Sequence, residues 1–405
     1  MNILLLSLNF YPELTGIGKY SGDFAFHLAH GSNKVDVISS PPYYPHWNLD
    51  SFDDGLLFKK EELRDVTVYR CPLFVPRKIT TVKRLLHLFS FSVSSALRLL
   101  SLLTKKYDYI IVVQPTFFCV PMALLYSKIT GAKSILHIQD YELDAMLGLG
   151  MGRESHLIKF CRRLESWLMK KFDYVSTISY SMIDKAKQKG VLSDRIRYLP
   201  NWADVDSIRP DIDGSKFKQS LGFSESDFIV LYSGNIGKKQ GLEIVLRAAK
   251  LSQSNSNIKF LLVGEGAHVQ ELKTLAAELE IINLTFLPLQ AWGDVPSMLA
   301  MADIHLVIQK RGAADSVLPS KLTNILAVGG YAIVTAEENT ELGLIHSKFP
   351  GIYNLIEPEN EFLLFEAIVS SYANSDRARY NSVARDYAEK YLIKDSIIDN
   401  FLESL

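Results

Sequence analysis

The stretch "ILLLSLNFYPELTGIGKY" (Ile3–Tyr20) decides the fold class. A short apolar run ends in a glycine-containing segment, and a helix-length pattern follows, which is the opening of a Rossmann-type βα unit. It is not the dinucleotide fingerprint. Gly16 and Gly18 are followed three residues later by Ser21, and the next glycine is Gly22. The long approach from Asn9 to Gly16 also differs from the tight turn that lays a pyrophosphate on a helix N-terminus. The Gly16-Ile17-Gly18 pair instead predicts a mobile loop reaching towards a donor, with Glu13 at its edge as a candidate acceptor contact.

The same beginning recurs in the second half as "LYSGNIGKKQG" (Leu231–Gly241). Between and after the two, apolar runs alternate with helix-length segments. "KVDVIS", "YDYIIVVQ", "AKSILHIQD" and "YVSTIS" lie in the first half, and "FIVLYSG", "IKFLLVGEG", "NLTFLPL", "DIHLVIQ" and "YAIVTA" in the second. Runs apolar on both faces belong to parallel sheets covered by helices on each side. The reading is α/β, with two Rossmann-like doubly wound domains facing a central cleft. Residues 1–198 form the first, 199–214 a Pro- and Asp-rich linker, 215–385 the second, and 386–405 a C-terminal helix packing back on the first. Ligands of such sheets bind outside the carboxyl ends of the strands.

A 405-residue chain with 48% hydrophobic and 22% charged residues is globular rather than disordered. Cys71, Cys119 and Cys161 are odd in number and widely spaced, which argues against a disulfide framework or a cysteine metal site and fits a reducing, cytoplasmic setting. Ile3–Leu8 is too short, and lacks the basic flank, for a signal peptide. Charge is uneven: residues 1–198 carry 26 Lys and Arg against 18 Asp and Glu, and the remainder 18 against 27. "RKITTVKRLLHLFSFSVSSALRLLSLLTKKY" (Arg77–Tyr107) has seven basic residues and no acid. It reads either as a buried helix with basic ends or as a surface for anionic lipid on the inner face of the cytoplasmic membrane. No nucleic-acid motif accompanies it.

Seven segments together resemble one family. They are "PELTGIGKYSGDFA", "SSPPYYPHW", "LHIQDYELDAMLGLG", "STISYSMIDKA", "PNWADVD", "LYSGNIGKKQGLE" and "VIQKRGAADSVLPSKLTNILAVGG". The chain is similar over its whole length to retaining glycosyltransferases of the GT-B fold, family 4, and within them to those of colanic acid biosynthesis. The resemblance implies transfer of a sugar from a nucleotide diphosphate donor to a lipid-linked saccharide, with GDP-fucose as donor and exopolysaccharide assembly as the pathway. A UDP-sugar donor, a GT-B epimerase or phosphorylase, and a non-catalytic nucleotide-sugar-binding protein are the alternatives.

Such a reaction must stabilise negative charge growing on a departing diphosphate, and preorganised cations and backbone N–H groups do this best. In "SGNIGKKQG", Gly234, Asn235, Gly237 and Gln240 form the expected phosphate loop, with Lys238 or Lys239 as its cation, Lys238 being the readier of the two to read as an ordinary solvent lysine. The family more often has arginine where Asn235 stands and lysine where Gln240 stands. Its Glu-x7-Glu pair is missing too, with Ser316 and Asn324 at that spacing and Asp315 beside the first. Asn324 remains a candidate for the ribose diol. Lys321, with the backbone of Ser320 and Leu322, marks a helix start favourable to phosphate. Glu265, Lys310 and Arg311 complete the donor set.

Related enzymes often have His-Asp where Gln139-Asp140 stands. Glutamine does no acid–base work, so the carboxylate role falls to Asp140, with Gln139 and Glu142 towards the acceptor. His137, two residues upstream, takes that role if the register differs, although a lone histidine inside a strand is more often a satisfied core residue. Tyr43, Tyr44 and Trp47 are either a sugar platform or simple hydrophobic cover. Asp211–Asp213 reads as solvated loop acids, and neither metal nor other cofactor is expected.

Overall fold

A computed structural model of the protein describes residues 1–14, 16–31, 33–45, 47–49, 57–78, 80–141, 156–312, 319–374 and 379–405. The chain forms two compact units. Unit 1 comprises Met1–Pro200 with Ile398–Leu405, and unit 2 comprises Asn201–Ile397.

The described strands of unit 1 are β1 (Asn2–Leu6), β2 (Lys34–Ser39), β3 (Lys59–Leu63), β4 (Val66–Arg70), β5 (Tyr109–Gln114), β6 (Lys133–Ile138), β7 (Tyr174–Thr177) and β8 (Ile196–Tyr198). They lie in the order β3-β4-β2-β1-β5-β6-β7-β8. All neighbouring pairs are parallel except the antiparallel β3–β4 hairpin at the edge. Leu4, Ile110, Leu136 and Val175 are fully buried, as expected for strands covered on both faces.

Unit 2 carries β9 (Phe228–Ser233), β10 (Ile258–Val263), β11 (Leu284–Leu287), β12 (Ile304–Val307), β13 (Ala332–Thr335) and β14 (Asn354–Ile356), all parallel, in the order β11-β10-β9-β12-β13-β14. The pleat sorts its strands into two cores. Ile229, Leu231, Leu261 and Val263 face one layer of helices, and Phe228, Val230, Tyr232, Phe260 and Leu262 face the other.

The segment expected as a linker belongs to unit 2 from Asn201 onward. Ala203, Val205 and Ile208 are buried in its core, and the Arg385 guanidinium donates to the carbonyls of Val205, Ile208 and Ala327 at 3.1, 2.9 and 2.6 Å. The C-terminal boundary moves as well, because residues 386–397 stay with unit 2 and only 398–405 return to unit 1. That return is anchored by Phe401 against Phe24 (ring centroids 6.0 Å), by Tyr174 Oη donating to the Leu405 carbonyl (2.8 Å), and by Arg197 Nε donating to the Ser404 carbonyl (2.6 Å). Just before it, Ala203 N–H donates to the Leu392 carbonyl at 2.9 Å, in a parallel bridge that pairs Ala203 with Ile393.

Candidate functional site

The carboxyl ends of β9, β10 and β12 in unit 2 deliver three loops side by side. The loop after β9 is bound to the loop after β10 backbone to backbone: Ile236 N–H donates to the Glu265 carbonyl (2.8 Å) and His268 N–H to the Ile236 carbonyl (3.1 Å). Glycine is required at the contact. A Cβ at Gly264, where φ is +144°, would stand 1.9 Å from the Gly234 carbonyl oxygen, and one at Gly266 (φ +155°) would stand 2.1 Å from that of Ile236.

Lys321 lies in the first turn of the helix Ser320–Ala327 and reaches this loop. Its Nζ is buried and makes no hydrogen bond within the described residues. It sits 3.5 Å from the centroid of the Tyr232 ring, and a Cβ on Gly234 would lie 3.3 Å from it. Burial alone pulls the ammonium from its ordinary 10.5 down to about 7. One turn on, and on the same helix face, Asn324 Oδ1 is also buried without a hydrogen bond, and Gln309 Oε1, just past β12, is a third such atom. Leaving buried polar atoms unpaired is costly, so a cluster of them at the ligand-binding edge of a sheet marks a place for a polar ligand.

The other donor-side residues divide. Gln240, standing where the family more often has lysine, turns inward and its Oε1 accepts from Gly237 N–H at 3.1 Å, closing the loop on itself. Lys239 is exposed and makes no ion pair among the described residues, whereas Lys238 pairs with Glu271 at 2.9 Å. Asn235 is exposed, Glu265 is half-buried, and Lys310 lies with its stem against Gly241. Arg311 is half-exposed and paired with carboxylates, Nη1 with Glu337 at 2.8 Å and Nη2 with Glu357 at 3.8 Å. Ser320 opens the helix on the exposed side, and Leu322 is core. Asp315 and Ser316 lie outside the described residues.

In unit 1 several expectations are corrected. Gly16 and Gly18 do not form a mobile loop; they belong to the first turn of the helix Gly16–His30. Gly18 is needed there because a Cβ would meet the Glu13 carbonyl oxygen at 2.7 Å. Glu13 is buried rather than offered to an acceptor. Its Oε1 accepts from the backbone N–H groups of Tyr43 (2.8 Å) and Tyr44 (2.9 Å), and its Oε2 from Asn9 Nδ2 (2.8 Å). Burial raises its pKa against those hydrogen bonds. Arg70, 1% exposed, closes the same knot by donating to the Ser40 carbonyl (3.0 Å), the Tyr11 carbonyl (2.5 Å) and the Glu61 carboxylate. The loops after β1 and β2 are thereby held as one piece.

Tyr43 is cover, not platform: its ring is buried against His87 (4.7 Å) and Trp47 (5.4 Å). Tyr44 and Trp47 are half-buried. At the end of β6, Gln139 folds back instead of pointing outward, its Nε2 donating to His137 Nε2 at 2.8 Å. His137 Nδ1–H in turn donates to Ser176 Oγ at 2.9 Å, and burial lowers its pKa to about 4, so it is a neutral, satisfied core histidine. Asp140, half-buried, directly follows, and Glu142 lies outside the described residues. Asp213 caps the turn at Ser215 and Asp211 pairs with Arg209, as solvated acids do.

The basic apolar segment folds as the helix Thr81–Ser101, and it is not a buried helix. Phe91 and Leu99 face the core, while Val82, Leu85, Leu86, Phe89, Val93, Leu97 and Leu100 form an exposed stripe, Phe89 at 54%. Phe118 extends the stripe, its ring 6.3 Å from that of Phe89, and Arg77, Lys78, Lys83 and Arg84 are exposed at one end. Among the described residues no helix is long and apolar enough to cross a membrane, and no group of three or more His, Cys, Asp or Glu could hold a metal ion.

Tyr232, Gln309, Gly264 and Gly266 were not among the sequence candidates. The glycine pair had a signal in "VGEG"; Tyr232 and Gln309 had none beyond strand-end position.

Comparison with known proteins places this geometry. Residues 15–202 match the family model described as a glycosyl transferase 4-like domain, and residues 213–387 the model of glycosyl transferases group 1. Over all of both chains the sequence is 44% identical to an Escherichia coli (strain K12) protein assigned as a colanic acid biosynthesis glycosyl transferase, WcaI. Among solved structures it resembles a sucrose-phosphate synthase from Thermosynechococcus elongatus, with TM-score 0.77 and 15% identity over 99% of this chain and 97% of that one. It also resembles Anabaena HepE in complex with UDP and glucose, with TM-score 0.72 and 17% identity over 100% and 99%. At these identities the structural likenesses speak for the fold.

Proposed function

Since this chain belongs to the group 1 glycosyltransferases of the GT-B fold, we propose that it moves a sugar, with retention at the anomeric carbon, from a nucleotide diphosphate donor to a lipid-linked saccharide in the assembly of a colanic acid-like exopolysaccharide. The donor in this reading is GDP-fucose. The observation that carries the nucleotide grip is the buried Lys321 Nζ, without a hydrogen bond among the described residues, beside the Gly234 backbone at the carboxyl edge of the unit 2 sheet.

The chemistry follows from the residues. As the sugar departs, charge grows on the diphosphate, and Lys321 meets it from the helix start, where the dipole of Ser320–Ala327 adds to its effect. Lys239 supplies a second, exposed cation, and the exposed Asn235 offers its backbone N–H, whereas the N–H groups of Gly234, Ile236 and Gly237 are held by Val263, Glu265 and Gln240. Asn324 takes the ribose diol in place of the family's glutamate, with a weaker, uncharged hydrogen bond. With a glutamine where a histidine is usual, unit 1 offers no base there. The departing phosphate takes the acceptor proton as the new bond forms on the same face, and Asp140 orients hydroxyls. No metal ion enters this scheme. The exposed stripe of the helix Thr81–Ser101, with its basic end, rests on anionic lipid and brings the protein to the acceptor.

A thermal-shift panel of GDP, UDP, GDP-fucose and UDP-sugars, with and without EDTA, tests the reading. GDP-fucose and GDP should stabilise unit 2 without added metal. A response to UDP-sugars alone removes the fucose assignment, and no response to any nucleotide removes the transferase reading of the site.

A further inference from the structure

Resting on that nucleotide grip, we propose that Tyr232 is a positioning residue for the reaction. Its ring carries the Lys321 Nζ and its hydroxyl holds the Asn235 carbonyl, so one side chain sets both the cation and the phosphate loop.

Tyr232 is the fifth residue of β9, fully buried, and its phenol is pushed above the ordinary tyrosine range by burial, so the hydroxyl keeps its proton and acts as a permanent donor. It donates to the Asn235 carbonyl at 2.7 Å. Asn235 is thereby fixed in the turn whose next residue, Ile236, is bound to the β10 loop. The opposite function belongs to the ring. Lys321 Nζ stands 3.5 Å from its centroid, and the end of the lysine stem runs past Gly234, where a Cβ would come within 3.3 Å of both Cε and Nζ. The ring face is the one partner that the described residues give this nitrogen, and it attracts the nitrogen in its protonated form. Burial shifts the ammonium towards neutrality, and among the described residues no ionised side chain contributes to that shift. The lysine is therefore stored in place, desolvated and oriented, until an anion arrives to share it. An arriving diphosphate brings the charge that restores the proton, and Tyr232 has fixed where that proton will sit relative to the loop N–H groups.

Isothermal titration of the full chain at pH 8, in two buffers of different ionisation enthalpy, reads both parts. The probes are GDP, UDP and inorganic pyrophosphate. With the ammonium at about 7 in the free protein, binding to the wild type should take up about 0.9 proton per site. Tyr232→Phe should keep that uptake and weaken binding by about threefold or more, because the Asn235 carbonyl is released. Tyr232→Leu should weaken it at least tenfold and cut the uptake to a third or less, because the lysine escapes to water and is charged beforehand. Wild-type affinity and uptake in Tyr232→Leu overturn the proposal. If that variant does not fold, unchanged affinity in Tyr232→Phe overturns it instead. Lys321→Met separates the two layers: undiminished nucleotide binding there, or binding of none of the three probes to the wild type, removes the lysine grip itself. Loss in Lys321→Met with no change in the tyrosine variants removes only the role of Tyr232.

Discussion

Replacing Lys321 by methionine should make the unliganded protein more stable at low pH, and the gain should shrink as pH rises. The folded chain holds this ammonium at about 7 against its ordinary 10.5. Between those values the unfolded chain binds the proton and the folded chain does not, so wild-type stability climbs with pH through the window. At about 1.36 kcal/mol per unit, the penalty for burying the lysine is roughly 5 kcal/mol at pH 6 and roughly 2 kcal/mol at pH 9. The attraction of the Tyr232 ring reduces the absolute figures by up to about 2 kcal/mol but leaves the direction. Methionine carries no proton, so the gap between variant and wild type should close by roughly 3 kcal/mol from pH 6 to pH 9. For a body the size of unit 2, that is a narrowing of roughly 5–10 °C in the difference of Tm. Differential scanning calorimetry of both proteins at pH 6, 7.5 and 9 measures it. A Tm difference that is flat over this range, or that widens, would refute the reasoning, because the nitrogen would then be charged in the free protein throughout.

Other outcomes are as definite. Gly264→Ala places a Cβ 1.9 Å from the Gly234 carbonyl oxygen, so it should abolish the nucleotide-induced thermal shift and lower the Tm of unit 2; a variant that still responds to nucleotide contradicts the loop packing. Glu13→Ala strands the amides of Tyr43, Tyr44 and Asn9 and should cost about 3 kcal/mol in urea unfolding of unit 1, whereas a midpoint equal to wild type would mean that the knot is dispensable. In liposome flotation, Phe89→Glu, or neutralising Lys83 with Arg84, should release the protein from vesicles rich in anionic lipid. Flotation unaffected by either change counts against the membrane face.

Much of the architecture was legible because parallel strands covered on both faces declare themselves as apolar runs: "YIIVV", "ILHI" and "FLLV" all became interior strands. The hairpin Lys59–Arg70 was missed for the complementary reason. Its first strand, "KKEEL", sits at the sheet edge in water and has no apolar run to betray it. The segment 199–214 looked like a linker because its polar residues outnumber its apolar ones, yet Ala203, Val205 and Ile208 suffice to bury it. In the site, Lys321 could be picked out from its place at a helix start. Its seat on Tyr232 could not, since that contact joins strand to helix across a long sequence separation. Glu13 failed as a surface residue because its partners are backbone amides, which every residue has and no pattern marks.

The division of the chain has a practical consequence. Unit 2 is an insertion: the polypeptide leaves unit 1 after Pro200 and re-enters it at Ile398, and the Ala203–Ile393 bridge draws the two crossing points together. A gene segment for residues 201–397 is therefore a single cassette with adjacent splice sites. Exchanging it between relatives transplants the whole of unit 2 in one step, provided that the last eight codons stay with the recipient's first half, whose tail contacts to Phe24, Tyr174 and Arg197 they supply.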